Sequence, residues 1–397
     1  MSKCIGCGIK IQSTDKEAPG YVPVSATVDR GEAVYCKRCY DVIHHNKDYS
    51  SATYELFNDS KSLVNVINDY YQKLSKLKGE KALILLLIDV LDIYSGFIPK
   101  LSEYIGDNPV MILVNKTDVM PKSIKLNTLG EKIKQIGLND NLNVRDVFFI
   151  SALKQKNIDD IIRRVMDYFN RTYFRGNKTY LLGSTSVGKS TFVNSLLKKY
   201  KMIDNDLITT SYQHQTTLDF IPISIGTNNK KEECFLVDTP GYLNLMTATT
   251  YLGLESLKQV VPRTFIKSRS YQLKENQTMF LGGLVTLDFE GDVNVSYFVS
   301  NDLYIHRTKT SNKEELLTKS MYKLLVPPVD ETELKRFGEL TSKTYTLSCD
   351  EEFKHWDLCI AGIGYVHLTG ENFKVTVTLP RTILTTLVPN LLWCMMI

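Results

Sequence analysis

Five short clusters of residues carry recognisable chemistry, and their order is unusual. Asn115-Lys116-Thr117-Asp118 comes first, followed by Ser151-Ala152. Only then come Gly183-Ser184-Thr185-Ser186-Val187-Gly188-Lys189-Ser190, the pair Thr216-Thr217, and Asp238-Thr239-Pro240-Gly241. The Gly-x-x-x-x-Gly-Lys-Ser octet is the pattern of a loop whose backbone N–H groups wrap phosphates. Gly183, Ser186, Gly188 and Thr191 belong to that cradle; Lys189 reaches the β and γ phosphates and Ser190 binds Mg²⁺. Asp238 is placed to hold Mg²⁺ through water. The Gly241 amide can approach the γ-phosphate because no side chain blocks it.

The base is read by the first two clusters. A carboxylate at Asp118 accepts both hydrogen bonds from the N1–H and N2–H₂ edge of guanine. Adenine lacks that donor pair and would leave the carboxylate unpaired, so an ATP-using kinase is disfavoured. Asn115 belongs to the same site, Lys116 packs its stem against the base, and Ser151-Ala152 supplies a backbone donor to guanine O6. Of the threonine pair, Thr217 is favoured to close over Mg²⁺, so Lys189, Thr217 and Gly241 are the residues assigned to catalysis. The residue after Gly241 is Tyr242, where many GTPases place a water-orienting glutamine. Intrinsic hydrolysis should therefore be slow unless a partner, an ion or another residue supplies the missing part. The base-reading half precedes the phosphate half, but spatial geometry rather than chain order builds a site.

Each motif needs a strand to carry it. Residues 83–88 and 110–114 are continuous apolar runs, the mark of strands buried on both faces of a parallel sheet. Residues 147–150, 179–182 and 235–237 read as three more. Helical periodicity occupies 56–77 (Leu63, Val66, Ile67, Tyr70, Leu74, Leu77), 126–136, 158–169 and 189–199. Alternating strands and helices predict a doubly wound α/β sheet, with ligands at the carboxyl ends of the strands.

At the front, Cys4-x-x-Cys7 and Cys36-x-x-Cys39 supply four thiolates, enough for a closed, tetrahedral, structural Zn²⁺ shell. The intervening 28 residues are more than such pairs usually have. A redox Cys-x-x-Cys would sit near a βαβ pattern, which residues 1–50 lack. His44 and His45 are not needed as ligands. Cys234, Cys349, Cys359 and Cys394 are scattered and read as core or incidental.

From Val260 the pattern changes. Residues 258–274 carry Lys258, Arg263, Lys267, Arg269 and Lys274 and no acid, which suits either phosphate contact or a solvated surface. Segments 278–287, 293–299, 357–367 and 373–379 alternate as strands do, punctuated by glycines, with a helix near 314–324. Tyr297, Tyr304, His306 and Arg307 are candidates for RNA contact, although such aromatics are more often core residues or cross-strand pairs. The resulting architecture is an α/β, circularly permuted P-loop GTPase domain (51–255) between a Cys4 zinc-finger module (1–50) and a β-rich C-terminal domain (256–397).

Composition is ordinary for a globular chain: 43% hydrophobic, 23% charged, net charge +4. That charge permits a local basic face and does not by itself require nucleic acid. The longest apolar run, residues 82–88, is far short of the roughly 20 residues a membrane span needs. A cytosolic protein with reduced cysteines, no membrane partner and a monomeric free state is expected.

Together these features resemble the YqeH-type circularly permuted GTPases over nearly the whole chain. The resemblance rests on the four-cysteine front, the permuted motif order, Phe280-Leu-Gly-Gly283-Leu, and Asn301-Asp-Leu-Tyr-Ile-His306-Arg307-Thr308-Lys309. It implies a GTPase of small (30S) ribosomal subunit biogenesis, using GTP/GDP, Mg²⁺ and Zn²⁺, with the small subunit or its rRNA as partner and a β-rich C-terminal domain that binds RNA or protein. Two positions depart from the family. Ser186 replaces an asparagine linked to potassium binding and potassium-stimulated hydrolysis, so K⁺ stays an open cofactor whose requirement the resemblance alone does not carry over. Gln215 replaces the usual glycine before Thr216; a Gln-Thr-Thr version occurs in the related Era-type GTPases, and the change is expected to be tolerated. The chain from about Val388 matches nothing expected of the family. The rival is a zinc-stabilised RNA-binding scaffold that binds GTP with little turnover, a possibility that Tyr242 keeps open.

Overall fold

The computed structural model describes residues 12–14, 21–22, 60–121, 125–171, 174–201 and 221–392. Cys4, Cys7, Cys36, Cys39, Gln215, Thr216 and Thr217 lie outside the described residues, as does everything after 392.

Helix α1 (Ser60–Leu74) and a 3-10 turn (Ser75–Leu77) lead into a six-stranded sheet. Its strands are β1 (Leu83–Asp89), β2 (Pro109–Asn115), β3 (Asn143–Phe149), β4 (Lys178–Gly183), β5 (Ile221–Thr227) and β6 (Glu233–Asp238). Helices α2 (Leu101–Ile105), α3 (Leu126–Asn139), α4 (Ile158–Phe169) and α5 (Lys189–Lys201) lie between strands in the chain. The spatial order is β3-β2-β1-β4-β6-β5. All neighbours are parallel except β5, which is antiparallel to β6. Counting β4 as first and closing the permutation after β6, the same order reads 6-5-4-1-3-2. The direction of winding reverses between β1 and β4, so the carboxyl ends of these two adjacent strands form the crevice where such sheets bind ligands.

β1 is apolar throughout because both of its faces are covered. Ile84, Leu86 and Ile88 enter one core with Leu74 and Leu77. Leu83, Leu85 and Leu87 enter the other with Ile161 and Val165 of α4 and Phe192 and Leu196 of α5. Strand β5 escaped the sequence reading because Pro222 and Gly226 interrupt it. A proline without an N–H is tolerated there because β5 is an edge strand with one neighbour.

After α6 (Leu254–Val260) the chain builds a sandwich of two antiparallel five-stranded sheets. One is ordered β16 (Thr385–Pro389), β13 (Trp356–Ile360), β14 (Gly364–Thr369), β10 (Val293–Val299), β7 (Arg269–Leu273). The other is β11 (Ile305–Lys309), β8 (Gln277–Leu281), β9 (Val285–Glu290), β15 (Phe373–Pro380), β12 (Leu340–Leu347). The expected helix is α7 (Lys313–Ser320), and α8 (Glu331–Arg336) follows. Two segments expected as single strands are hairpins. Residues 278–287 fold back at Gly282 (φ +55°), and 357–367 at Gly362 (φ +76°). Alternation continues through a tight turn, so it hides the fold-back. Tyr297 is a core residue rather than an RNA contact. Arg269 leaves the basic run, since its guanidinium donates to Leu303 O (2.8 Å) and Ser300 O (2.9 Å).

The outer face of the β13–β14–β10 sheet packs on the nucleotide domain. Phe298, Cys359 and Tyr365 share a core with β1 and β2. Tyr365 Oη donates to Val90 O (2.7 Å), and Ile266 N donates to Val119 O (2.8 Å), one residue past Asp118. Residues 244–248 are stitched to both domains: Asn244 Nδ2 to Ser95 O (2.7 Å), Ala248 N to Ala361 O (3.0 Å), and Leu384 N to Met246 O (2.9 Å). Among the described residues, no helix is long and apolar enough to cross a membrane.

Candidate guanine-nucleotide site

The motifs meet where β1, β2, β4 and β6 end. Gly183 closes β4 with φ +154°, and a Cβ there would lie 2.5 Å from Leu87 O of neighbouring β1. Ser186 adopts a left-handed conformation (φ +61°) and Gly188 has φ +98°. A Cβ on Gly188 would sit 2.4 Å from Asn115 Nδ2, so a side chain there would break the junction between the phosphate loop and the base-reading loop. That junction is made by Asn115 itself. Its buried amide donates to Val187 O (2.8 Å), and its carbonyl accepts from Ala152 N (2.9 Å), so one side chain ties together three loops. Ala152 N–H, assigned above to guanine O6, would have to share its proton with this bond.

Asp118 is oriented by its neighbour loop: Ser151 Oγ donates to Asp118 Oδ1 at 2.6 Å. Ser151 is fully buried and held by a tight turn, with Lys156 N to Ser151 O at 2.9 Å and the reciprocal bond at 3.2 Å. Thr117 Oγ1 donates to Ile150 O (2.9 Å), which fixes the first loop against the second. Lys116 is left-handed (φ +65°), and its ammonium pairs with Asp89 Oδ2 at 2.6 Å. Asp89 was missed by sequence reading. Its only signal was position, as an acid closing the apolar run of β1.

Lys189 begins α5, whose N-terminus offers a positive dipole to an anion. Its buried ammonium donates to Gly183 O (2.7 Å) and Ser184 O (2.8 Å). Burial lowers its pKa to about 8, opposed by the charge of Asp238. Ser190 is exposed and Thr191 half-buried at the start of the same helix. Asp238 ends β6, and Thr239 Oγ1 anchors the following turn to Leu181 O (2.7 Å). A Cβ on Gly241 would come within 3.1 Å of Lys189 Nζ and 2.9 Å of Thr185 Cγ2. Gly241, Lys189 and the phosphate loop therefore converge on one point. A desolvated cation beside close-set glycines and a helix N-terminus is a fit for a nucleotide polyphosphate, and Ser190 with Asp238 are the side chains placed to hold its Mg²⁺.

The comparisons agree with this geometry. Residues 178–278 match the family model described as "50S ribosome-binding GTPase", and residues 293–391 match "YqeH-like, C-terminal". The first match begins at β4, the phosphate-loop strand, because the base-reading strands precede it here. YqeH of Bacillus subtilis is 32% identical over 95% of this chain and 96% of its own length. The chain belongs to the YqeH family of GTPases. NO-associated protein 1 of Arabidopsis thaliana is 24% identical over 93% of this chain and 70% of its length. GTPase Der of Mycoplasma capricolum, 30% identical, shares only 34% of this chain and 27% of its own. Membership makes this chain a GTP-binding, GTP-hydrolysing protein with Mg²⁺ as its metal.

Within that chemistry, Asp118 and Ser151 are the residues that would read the base. Lys189, the Gly183–Gly188 backbone and the Gly241 amide would balance negative charge on the transferring phosphoryl group, the dominant protein contribution to such reactions.

Proposed function

We propose that this YqeH-family GTPase is a cytoplasmic switch in the assembly of the small ribosomal subunit, monomeric when free and binding that subunit or its rRNA. The observation that supports it most is the bond from Ile266 N to Val119 O. It joins the guanine-reading loop to the segment that opens the C-terminal domain. Residues 244–248 add a second link, from the end of the Gly241 loop to the same domain. Nucleotide state is thereby coupled to the surface offered to a partner. Exposed Phe265 and Lys267 lie beside Asn301, which accepts from Lys267 N (2.9 Å) and donates to Phe265 O (2.8 Å). Nearby in the chain, Tyr304 stacks on His306 (5.9 Å between centroids), an arrangement suited to an unpaired base. Cys4, Cys7, Cys36 and Cys39 are proposed to hold one structural Zn²⁺. Loss of bound zinc on Cys36→Ser, read by metal analysis, tests that assignment. With Ser186 in the phosphate loop, turnover should not distinguish K⁺ from Na⁺.

A second reading is a scaffold that binds GTP with little turnover. It is favoured by Tyr242, whose ring is buried away from solvent and cannot orient a water as glutamine does. One experiment separates the two: GTP hydrolysis with no subunits, small subunits or large subunits, alongside Asp118→Asn. Stimulation by small subunits, moving to xanthosine triphosphate in the variant, supports the switch. Stimulation only by large subunits reassigns the partner, and none by either favours the scaffold.

A further inference from the structure

The chain that leaves the Gly241 turn is held at two ends. At the near end, Tyr242 N donates to Gly183 O (3.0 Å) and Tyr242 O accepts from Thr185 N (2.8 Å), so the turn is tied to the phosphate loop. At the far end, residues 244–250 run between the loop after β1 and the tip of the β13–β14 hairpin. Asn244 Nδ2 donates to Ser95 O (2.7 Å), and Thr250 Oγ1 donates back to Asn244 O (2.6 Å). The hairpin tip approaches closely. Ala248 N donates to Ala361 O (3.0 Å), and a Cβ on Gly362 would lie 2.3 Å from Thr247 Oγ1 and 2.9 Å from Ala248 N.

Asp92 is the acid at this crossing. Its Oδ2 accepts from Thr247 Oγ1 (3.1 Å) and its Oδ1 from Ser95 Oγ (2.5 Å). A hydroxyl has one proton. Since that of Thr247 goes to the carboxylate, the 3.4 Å contact between the Thr247 and Thr249 hydroxyls is donated by Thr249. Asp92 N donates to Asp89 O (3.0 Å), so the same turn carries the acid that holds Lys116. Asp92, Thr247 and Gly362 line a cavity of about 50 Å³ together with Lys116 and the phosphate loop. Space rather than packing separates the crossing from the phosphate loop there, and the chain through residues 242–247 is the tight connection between them.

We infer that Asp92 is a positioning residue for GTP hydrolysis: by gripping the Thr247 hydroxyl it fixes the far end of the segment that carries Gly241, and it passes the γ-phosphate contact at Gly241 on to the Gly362 hairpin of the sandwich. A hydrogen bond to a carboxylate is roughly twice as strong as one between neutral groups, so this is the firm point of the crossing. The charge is kept at a cost to the fold. Desolvation pushes the Asp92 carboxyl up to about 6, helped by the charge of Asp89 and opposed by the Ser95 and Thr247 bonds. Asp89 and Lys116 share its larger cavity, Tyr94 and Cys359 a smaller one, and Tyr365 lies within its electrostatic reach. GDP has no γ-phosphate to meet the Gly241 amide, so a loosened segment should slow hydrolysis and leave GDP binding alone.

The inference rests on GTP hydrolysis and is independent of the ribosomal partner. Its test uses the full chain with Thr247→Val, which removes the hydroxyl, Thr247→Ser, which keeps it, Asp92→Asn, and the Asp92→Asn/Thr247→Val double variant. Single-turnover hydrolysis at saturating GTP should fall about tenfold in Thr247→Val, the size of one hydrogen bond to a charged acceptor, and stay parental in Thr247→Ser. Asp92→Asn should be slower than the parent, and the double variant no slower than Thr247→Val, because both changes weaken one interaction. The GDP dissociation constant should stay within about twofold of the parent throughout. Amide exchange at residues 360–364 should differ between GDP and a non-hydrolysable GTP analogue in the parent and in Thr247→Ser, and not in Thr247→Val. At pH 8 the thermal midpoint of Asp92→Asn should equal or exceed that of the parent, and any gap should close toward pH 5 as the parent carboxyl takes up its proton. An acid that served the fold alone would lower that midpoint. Parental rates in Thr247→Val, equal losses in the serine and valine variants, multiplicative losses in the double, or a loss of GDP affinity matching the loss of rate would each overturn the inference. A parent that hydrolyses nothing would strike the activity itself, and the exchange difference would then decide the coupling alone.

Discussion

The nucleotide sheet and the C-terminal sandwich both bury polar side chains, and they neutralise them differently. In the sandwich, Glu333 is buried and accepts from Ser256 Oγ (2.6 Å), Val329 N (2.8 Å) and Gly253 N. Asp357, fully buried, is bonded to His367 Nδ1 (2.7 Å) and Leu392 N (2.8 Å). Each acid finds its hydrogen-bond partners where it stands. At the nucleotide site the buried Lys189 ammonium touches two carbonyls, and its pKa falls to about 8. Matched buried groups mark architecture. A buried cation left short of negative charge marks the place where an anion belongs.

That contrast is broken most directly at its two poles. Lys189→Ala should lower single-turnover GTP hydrolysis by about 10²–10³-fold, the usual effect of removing one preorganised donor to transition-state charge. Its thermal midpoint should hold or rise, since a desolvated ammonium is gone. Asp357→Ala should do the reverse. Stranding His367 and Leu392 N removes about 3 kcal/mol of stability, seen as a lower urea midpoint. The hydrolysis rate per folded molecule should not change. If Asp357→Ala slowed the chemistry of the folded fraction, the sandwich would be part of the catalytic apparatus.

The same contrast explains what could be read from sequence. Strands β1 and β2 are buried on both faces, so they appear as unbroken apolar runs, and the glycines at 183, 188 and 241 are fixed by close approach. The converging site was legible for that reason. The sandwich strands are half-buried, and their alternation passes unbroken through the turns at Gly282 and Gly362, so hairpins read as single strands. Asp89 and the three-loop bridge of Asn115 were not legible, because a pairing across 27 or more residues leaves no local pattern. Tyr297 could be read as a core residue or an RNA contact, and Arg269 as a phosphate contact or a solvated cation. Only the fold reveals that one fills the core and the other serves two carbonyls.

A pH titration sharpens the comparison at the level of one proton. Free Lys189 titrates near 8, below the usual lysine range, and nucleotide phosphates favour its charged form. Above that pH, binding must take up a proton, so GDP affinity should fall about tenfold from about pH 7 to about pH 9. Lys189→Met should lack this slope. The folding term has the opposite sign. The folded state holds fewer protons than the unfolded state between about pH 8 and the normal lysine value, so this group's contribution to stability rises with pH across that window. A flat GDP affinity would mean that the Lys189 charge is already satisfied without phosphate.

The smallest effect tests where one region ends and the other begins. Tyr365 belongs to the sandwich, but its hydroxyl donates to Val90 O, next to the Asp89 that holds Lys116. Tyr365→Phe keeps the ring in the shared core and removes only that bond, a loss of about 1 kcal/mol in a buried setting. If the sandwich is architecture alone, a slightly lower thermal midpoint is the whole result, and GDP affinity holds. If GDP affinity falls as well, the Val90–Asp89 turn is set from the sandwich side. The base-reading half of the site would then extend into the C-terminal domain, which is the connection a permuted chain is built to make.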